Sequence, residues 1–379
     1  MSRSISFVIP CLNEEHTLPY VLQKFQTLAR KELADRNVEV VVSDNGSQDK
    51  SIQIAEGFGV KVVRCLEKGY GAALNCGIAE ASGDIIVFAD ADNTYDFLDA
   101  PKLIHELEKG FDLVIGSRIT GSIKPGAMPL LHRYLGTPVL NLLINVLYSR
   151  RQNKIRDCNS GFRCFRKVSF ERWGIKGSGM EFASEMLIKA MINDAAISHV
   201  PITLYPDMRT DRIPHLKTWR DGMRHLLQIL LYAPRFFRNL GLLSFGVSWT
   251  VLLVSFFTGP LLLGAVSILG MHTMMFAMLG SFIGIFMWSL GLFLSVRENP
   301  DALADYHYLL NLREDKLFFY SIAMLLIGAS AFVFIIFQWS QNSFAYLALE
   351  KQTLLLISLI ANNIFLVTNI IAAHLLKRV

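Results

Sequence analysis

Residues Ile85–Asp96 read IIVFADADNTYD, and their reading decides the fold. Five apolar residues run without interruption into Asp90-Ala91-Asp92, with Asn93 and Asp96 just beyond. A continuous apolar run of this length predicts a strand covered on both faces, as in a parallel sheet flanked by helices. Its end in a cluster of carboxylates places charge where such sheets bind ligands. Two acids one residue apart can grip a hard divalent cation from a single turn and leave coordination positions open for phosphate oxygens.

The same pattern repeats outward from this strand. Ser4–Pro10, Val38–Asp44, Lys61–Cys65 and Asp112–Ser117 are further apolar runs. Between them lie helical periodicities at Glu14–Leu33, Asp49–Gly57, Gly71–Ala81 and Leu98–Glu108. Repeated βα units predict a doubly wound sheet with right-handed crossovers. Polar residues gather at the strand ends: Asn13, Glu14 and Glu15 after the first, Asp44 to Asp49 after the second, Asp90 and Asp92 after the fourth. Taken singly, Asn13 or Ser47 reads equally well as a helix cap and Asp49 as a first-turn acid. Lys68-Gly69-Tyr70-Gly71 precedes a helix, where glycines let backbone approach an anion. It is not a Walker loop, because no Gly-Lys-Ser/Thr follows at the required spacing.

Composition divides the 379 residues in two. Residues up to about 239 mix apolar and charged stretches; from Leu240 to Val296 no Asp, Glu, Lys or Arg occurs. Spans are expected at 240–264, 273–296, 317–339 and 353–376, since one crossing needs about 20 apolar residues. Arg235, Arg238, Arg297, Arg313, Lys316, Lys377 and Arg378 fall at ends that would all be cytoplasmic. Leu216, Trp219, Met223, Leu226, Leu227, Leu230 and Leu231 recur at helical spacing opposite Lys217, Arg220, Arg224, His225 and Gln228, the pattern of an interfacial helix or of one packed on the preceding domain. The net charge of +5 comes without a long basic run, which argues against nucleic acid. Five cysteines show no metal-ligand spacing and read as reduced thiols. Met1–Ser6 leads straight into a strand, so no cleavable signal is expected.

Taken as a set, FVIPCLNEE (7–15), SDNGSQD (43–49), KGYGAALNCGI (68–78), FADAD (88–92) and NSGFRCFR (159–166) resemble the inverting glycosyltransferases of family 2, in the branch of the polyprenyl-phosphate hexose synthases. The resemblance covers residues 4–205. It implies an α/β GT-A catalytic domain, a doubly wound and mostly parallel sheet over 1–215. An interfacial helix region (216–239) and a transmembrane domain of four helices (240–379) would follow.

It further implies a donor site for a nucleotide-diphosphate sugar at Pro10, Asn13, Glu14, Asp44, Ser47, Lys68, Gly69, Asp90, Ala91 and Asp92. Asp90 and Asp92 would bind Mg²⁺ or Mn²⁺. The family's usual Asp-Asp-Gly-Ser turn reads Asp44-Asn45-Gly46-Ser47 here, with one charge fewer. Arg118 and Arg133 are implied to hold a polyprenyl phosphate, undecaprenyl or dolichyl. Arg163, Arg209, Arg212 and Lys217 would contribute to the acceptor side. Around residues 209–217 the motif departs, with Pro214 where the family has glycine. Glu181 and Glu185, one turn apart, read as groups orienting sugar hydroxyls or arginines rather than as an acid/base pair.

Two other functions stay open: a processive polysaccharide synthase, and a non-enzymatic membrane scaffold or lipid transporter with a vestigial sugar-binding domain. The lipid bilayer is an expected partner, and self-association is left open.

Overall fold

The computed structural model describes residues 4–149, 154–208, 218–258, 260–263, 266–298, 306, 314–341 and 350–378. The chain forms two compact units, Met1–Leu230 and Leu231–Val379.

The first unit opens with β1 (Ile5–Cys11), α1 (Leu18–Lys31), β2 (Val38–Asp44), α2 (Ser51–Gly57), β3 (Lys61–Arg64), α3 (Tyr70–Glu80) and β4 (Ile85–Phe88). A short 3₁₀ turn (Phe97–Asp99) leads into α4 (Ala100–Glu108), then β5 (Leu113–Ile123). A single π turn (His132–Gly136) runs into α5 (Thr137–Tyr148). β6 (Arg163–Arg166), α6 (Lys167–Trp173), α7 (Phe182–Ile192), β7 (Ile197–Leu204) and α8 (Thr218–Leu231) complete it.

The seven strands form one sheet in the order β3-β2-β1-β4-β6-β5-β7. β1 is parallel to both β2 and β4. The chain therefore winds outward through β2 and β3, then returns to the other side of β1. That reversal opens a crevice at the carboxyl ends of β1 and β4, the position where open α/β sheets bind ligands. β6 is antiparallel to β4 and β5, and six strands share one direction. The sequence pattern placed the preceding strands within a few residues but left β6 unread. Its four residues, RCFR, carry two arginines, and only their pairing between two apolar strands makes them a strand.

The core lies between the sheet and its helices. Phe7, Ile9, Val40, Val42, Ile85 and Val87 point into it from alternate strand positions. α1 contributes Leu18, Val21, Leu22 and Leu28 at helical spacing. Each such buried side chain is worth ~1.5–3 kcal/mol of transfer free energy. Leu22→Ala would remove one and leave a cavity, a loss of ~2–5 kcal/mol.

Cys65 and Cys76 are joined by a disulfide, while Cys11, Cys158 and Cys164 are free and buried. This differs from the expectation of five reduced thiols. The end of β3 and the second turn of α3 bring the two Cα atoms to 6.0 Å, a spacing a disulfide can bridge and one that no linear motif announces.

The second unit contains α9 (Pro234–Thr258), a two-stranded hairpin of β8 (Leu261–Leu263) and β9 (Val266–Ile268), α10 (Met271–Glu298), α11 (Glu314–Gln341) and α12 (Glu350–Arg378). Among the described residues, three stretches are long and apolar enough to cross a membrane: Pro234–Thr258, Met271–Arg297 and Lys351–Leu376. The expectation was four. The span anticipated at 317–339 does fall inside α11, but among the described residues its apolar stretch, Leu326–Gln341, is shorter than a crossing. The first expected span, 240–264, begins earlier and ends at Thr258. Pro260 lacks the N–H to continue a helix, and a β-hairpin fills the turn instead.

Candidate active site

The crevice is built from three adjacent strand ends. At the end of β1 the chain turns at Asn13, which adopts φ 57°. Its N–H donates to Ser47 Oγ at 3.0 Å, and Gln48 N–H donates back to Asn13 Oδ1 at 2.8 Å. Glu14 N–H donates to Ser51 Oγ at 2.8 Å, and Thr17 Oγ1 donates to Glu14 Oε2 at 2.7 Å. The turns after β1 and β2 are thus stitched together. Asp44, buried at the end of β2, accepts from Gly46 N–H (2.9 Å) and Ser47 N–H (3.1 Å), which shapes that turn from within. Asn13, Glu14, Asp44 and Ser47 therefore lie together at the ends of β1 and β2, and Pro10 stands within β1 opposite Ser43. Lys68 and Gly69 join them across β2: Lys68 Nζ donates to Asn45 O at 2.7 Å and Gly69 N–H to Asn45 Oδ1 at 2.8 Å.

Asp90 and Asp92 follow β4. Tyr70, the first residue of α3, donates its hydroxyl to Asp90 Oδ1 at 2.8 Å. Asp92 Oδ1 accepts from Thr94 N–H at 3.0 Å and Thr94 Oγ1 at 2.6 Å. Burial, and then the charge of Asp92, push the Asp90 carboxyl up to about 7. Two carboxylates held close enough to resist joint ionisation are a fit for a divalent cation, which relieves the repulsion. Among the described residues no group of three or more His, Cys, Asp or Glu could hold a metal ion. The donor set is therefore a pair rather than a cage, the arrangement that Mg²⁺ accepts when water and phosphate complete its shell.

The far wall comes from the loop before β6. A Cβ at Gly161 would lie 2.5 Å from Asp90 Oδ2, so only glycine lets this loop close on the carboxylate. Gly161 N–H donates to Tyr95 Oη at 2.9 Å. Asp157, fully buried, receives Arg118 three times: N–H at 2.8 Å and Nε at 2.9 Å to Oδ2, Nη2 at 2.7 Å to Oδ1. Burial alone would lower the Arg118 pKa; Tyr95 and Asp157 more than reverse this and hold it above its ordinary value.

The arginines divide by location. Arg163 is enclosed, and its guanidinium donates to the carbonyls of Ser160 (3.0 Å), Ala183 (2.8 Å) and Cys158 (2.8 Å). It ties β6 to α7 and to the loop ahead of it and does not present a free fork to an acceptor. Arg133 is exposed on the π turn with its guanidinium over the Tyr134 ring. Leu130, Tyr134, Leu135, Val139, Leu142 and Val146 are exposed along that turn and α5. Burial, and then the charge of Arg118, lower the pKa of the adjacent His132. Arg209, Arg212 and Lys217 lie outside the described residues.

Glu185 is buried, accepting from Lys176 N–H (3.2 Å) and Gly177 N–H (2.6 Å) and pairing with Lys189 at 2.7 Å. Glu181 Oε1 accepts from Gly179 N–H at 2.8 Å. Both shape the loop before α7 rather than form an acid/base pair. On α8, Asp221, His225 and Ile229 are buried and His225 Nδ1 meets Ser184 Oγ at 2.9 Å, while Trp219, Met223 and Leu227 form an exposed stripe one turn apart. That helix both packs on the domain and keeps an apolar face outward.

Sequence reasoning missed Tyr70, Tyr95 and Gly161 as parts of the site. Their signals were present, the tyrosine inside KGYG and the glycine inside NSGFR, but their closeness to Asp90 is a tertiary fact.

The model of the family described as glycosyl transferase family 2 matches residues 6–174. A low-salt glycan biosynthesis hexosyltransferase of Haloferax volcanii is 34% identical over 300 residues, covering 78% of this chain and 70% of that protein. A dolichol-phosphate mannosyltransferase of Pyrococcus furiosus is 29% identical over 231 residues, 60% of this chain and 63% of its own length. Glucosyl-3-phosphoglycerate synthase from Mycobacterium tuberculosis, solved with phosphoglyceric acid, shares the fold with a TM-score of 0.50 at 24% identity, over 61% of this chain and 80% of that one. With a crevice built on paired aspartates and a relative matched across most of both chains, this chain belongs to glycosyl transferase family 2.

Proposed function

We propose that the protein transfers a hexose, glucose or mannose, from a nucleotide-diphosphate sugar to a polyprenyl phosphate, with inversion at the anomeric carbon. The observation that carries this reading is Arg133, an exposed cation on a turn whose neighbours Leu130, Leu131, Tyr134 and Leu135 are exposed as well. A phosphate on a long apolar chain matches that surface; a soluble sugar or growing polysaccharide does not. Helices suited to crossing a membrane, and the Pyrococcus furiosus relative named as a dolichol-phosphate mannosyltransferase, support it.

In this reading the crevice orients both substrates. Asn13, Asp44 and Ser47 receive the nucleoside, and Lys68 faces the diphosphate. A Mg²⁺ or Mn²⁺ held by Asp90 and Asp92 would supply Lewis-acid neutralisation of the leaving diphosphate. Arg118 and Arg133 hold the acceptor phosphate in line, a positioning effect. A phosphate oxygen forms its bond to the anomeric carbon as the bond to the diphosphate oxygen breaks on the opposite face. The pair of electrons leaves with the nucleoside diphosphate. A phosphate monoester with its second pKa near 6 is largely dianionic at neutral pH, so no side-chain base is required. Arg235, Arg238, Arg297, Lys316, Lys377 and Arg378 at helix ends favour a cytoplasmic catalytic unit and cytoplasmic termini.

The test is a screen of nucleotide sugars against undecaprenyl and dolichyl phosphate, with the anomeric configuration of the product read by NMR. Product with the donor's configuration retained, or transfer only to oligosaccharide, overturns the reading.

A further inference from the structure

The turn after β2 and the loop after β3 are joined by one side chain. Asn45 is buried, with 5% of its surface exposed. Its Nδ2 donates to Glu67 O at 2.7 Å, and its Oδ1 accepts from Gly69 N–H at 2.8 Å. The amide therefore bridges the residues on either side of Lys68, using one donor and one acceptor at once. Its own main-chain carbonyl accepts from Lys68 Nζ at 2.7 Å. The neighbouring Gly46 leaves the space in which that ammonium rests: a Cβ there would lie 1.9 Å from Nζ. Lys68 is exposed at the edge of the crevice and carries three N–H donors, of which Asn45 takes one.

We infer that the Asn45 side-chain amide is a positioning group that clips the Lys68–Gly69 segment so that the Lys68 ammonium faces the donor's diphosphate. The inference rests on the donor-site reading above. No other side chain of this size performs both halves of the clip. Aspartate lacks the donor for Glu67 O and places a carboxylate against a carbonyl. Alanine and serine do not span the gap. The clip holds a cation in place without a facing carboxylate, which would compete with phosphate for the ammonium.

The experiment uses the full-length protein in detergent. Without ligand, Asn45→Asp should speed amide exchange in the peptide covering Cys65–Gly71, read by mass spectrometry, while exchange in β1 and β4 stays unchanged. With Mn²⁺–UDP and Mn²⁺–GDP as probes, calorimetric titration should show affinity for the preferred nucleotide falling about tenfold in Asn45→Asp, the scale of one lost hydrogen bond to a charged group. Lys68→Met, at an exposed side chain, should weaken it comparably. Adding Asn45→Asp to Lys68→Met should then cost much less than Asn45→Asp alone, because a positioning group has nothing left to position. In turnover, the donor KM should rise in Asn45→Asp and the acceptor KM should not.

Unchanged exchange, unchanged affinity in either single variant, or an equal penalty in both backgrounds overturns the proposal. A wild-type chain that binds neither nucleotide, with exchange still raised by Asn45→Asp, leaves the clip standing but sinks the donor-site reading and this role with it.

Discussion

Arg118 and Asp157 lie 39 residues apart in sequence yet meet through three hydrogen bonds, the longest 2.9 Å, with the Asp157 side chain fully buried. The carboxylate takes the arginine's main-chain N–H, Nε and Nη2, which fixes the plane of the guanidinium. The pair turns a long flexible side chain into a rigid cation at the end of β5. An arginine so oriented can meet a phosphate without the entropy loss of ordering its own stem.

Arg118→Ala should raise the KM for lipid phosphate far more than that for the donor, by about 10- to 150-fold, the equivalent of ~1.5–3 kcal/mol for a hydrogen bond to a charged group. Asp157→Ala should lower stability by ~3–5 kcal/mol, because it strands a largely buried cation, and Arg118→Ala, which strands the fully buried Asp157, should lower stability as well. Steady-state kinetics on Arg118→Ala and thermal melts on both variants check the pair; equal effects of Arg118→Ala on both substrates would make it a structural arginine.

Asp92→Ala should abolish transfer with little change in melting temperature, since the residue sits on a turn and its loss leaves the sheet intact. Turnover undiminished in excess chelator would remove the metal from the reaction.

The Asp90 carboxyl, raised to about 7 from an ordinary 3.8, sets a pH dependence. A raised folded-state value means that the proton stabilises the fold at low pH and that this stabilisation is lost as pH rises through about 7. A divalent cation competes with that proton below pH 7 and replaces it above. The rise in melting temperature on adding Mn²⁺ should therefore be larger at pH 8 than at pH 6, and the difference should vanish in Asp90→Asn. A thermal-shift series checks it.

Leu142→Glu and Val146→Glu place charge on the exposed apolar face of α5 without touching the crevice. Turnover of bilayer-embedded polyprenyl phosphate should fall by an order of magnitude or more, at ~2–3 kcal/mol per charge moved into an apolar surface. A short-chain acceptor in free solution should be used at the wild-type rate. Equal loss on both acceptors would show that the face has another use.

Much of the site was legible in the chain. β1 to β4 announced themselves as apolar runs, and Asn13, Asp44, Ser47, Asp90 and Asp92 stood at their ends because parallel strands deliver their carboxyl tips to one edge. Arg133 was visible as a cation, but the exposed apolar residues along its turn and α5 were not, since exposure depends on what α5 leaves uncovered. Arg163 read like its neighbours in NSGFRCFR, yet it is spent on three carbonyls inside the domain.

The sequence by itself determined the alternation of strands and helices, the polar strand ends and the apolar second half, because these depend on local periodicity and on residue type. Tertiary structure alone decided four things: the insertion of β6 between β4 and β5, the hydroxyl of Tyr70 on Asp90, the disulfide between Cys65 and Cys76, and the Arg118–Asp157 pair. Each depends on a contact whose partners are chosen by packing, and packing energy is spread over the whole core rather than written at either position.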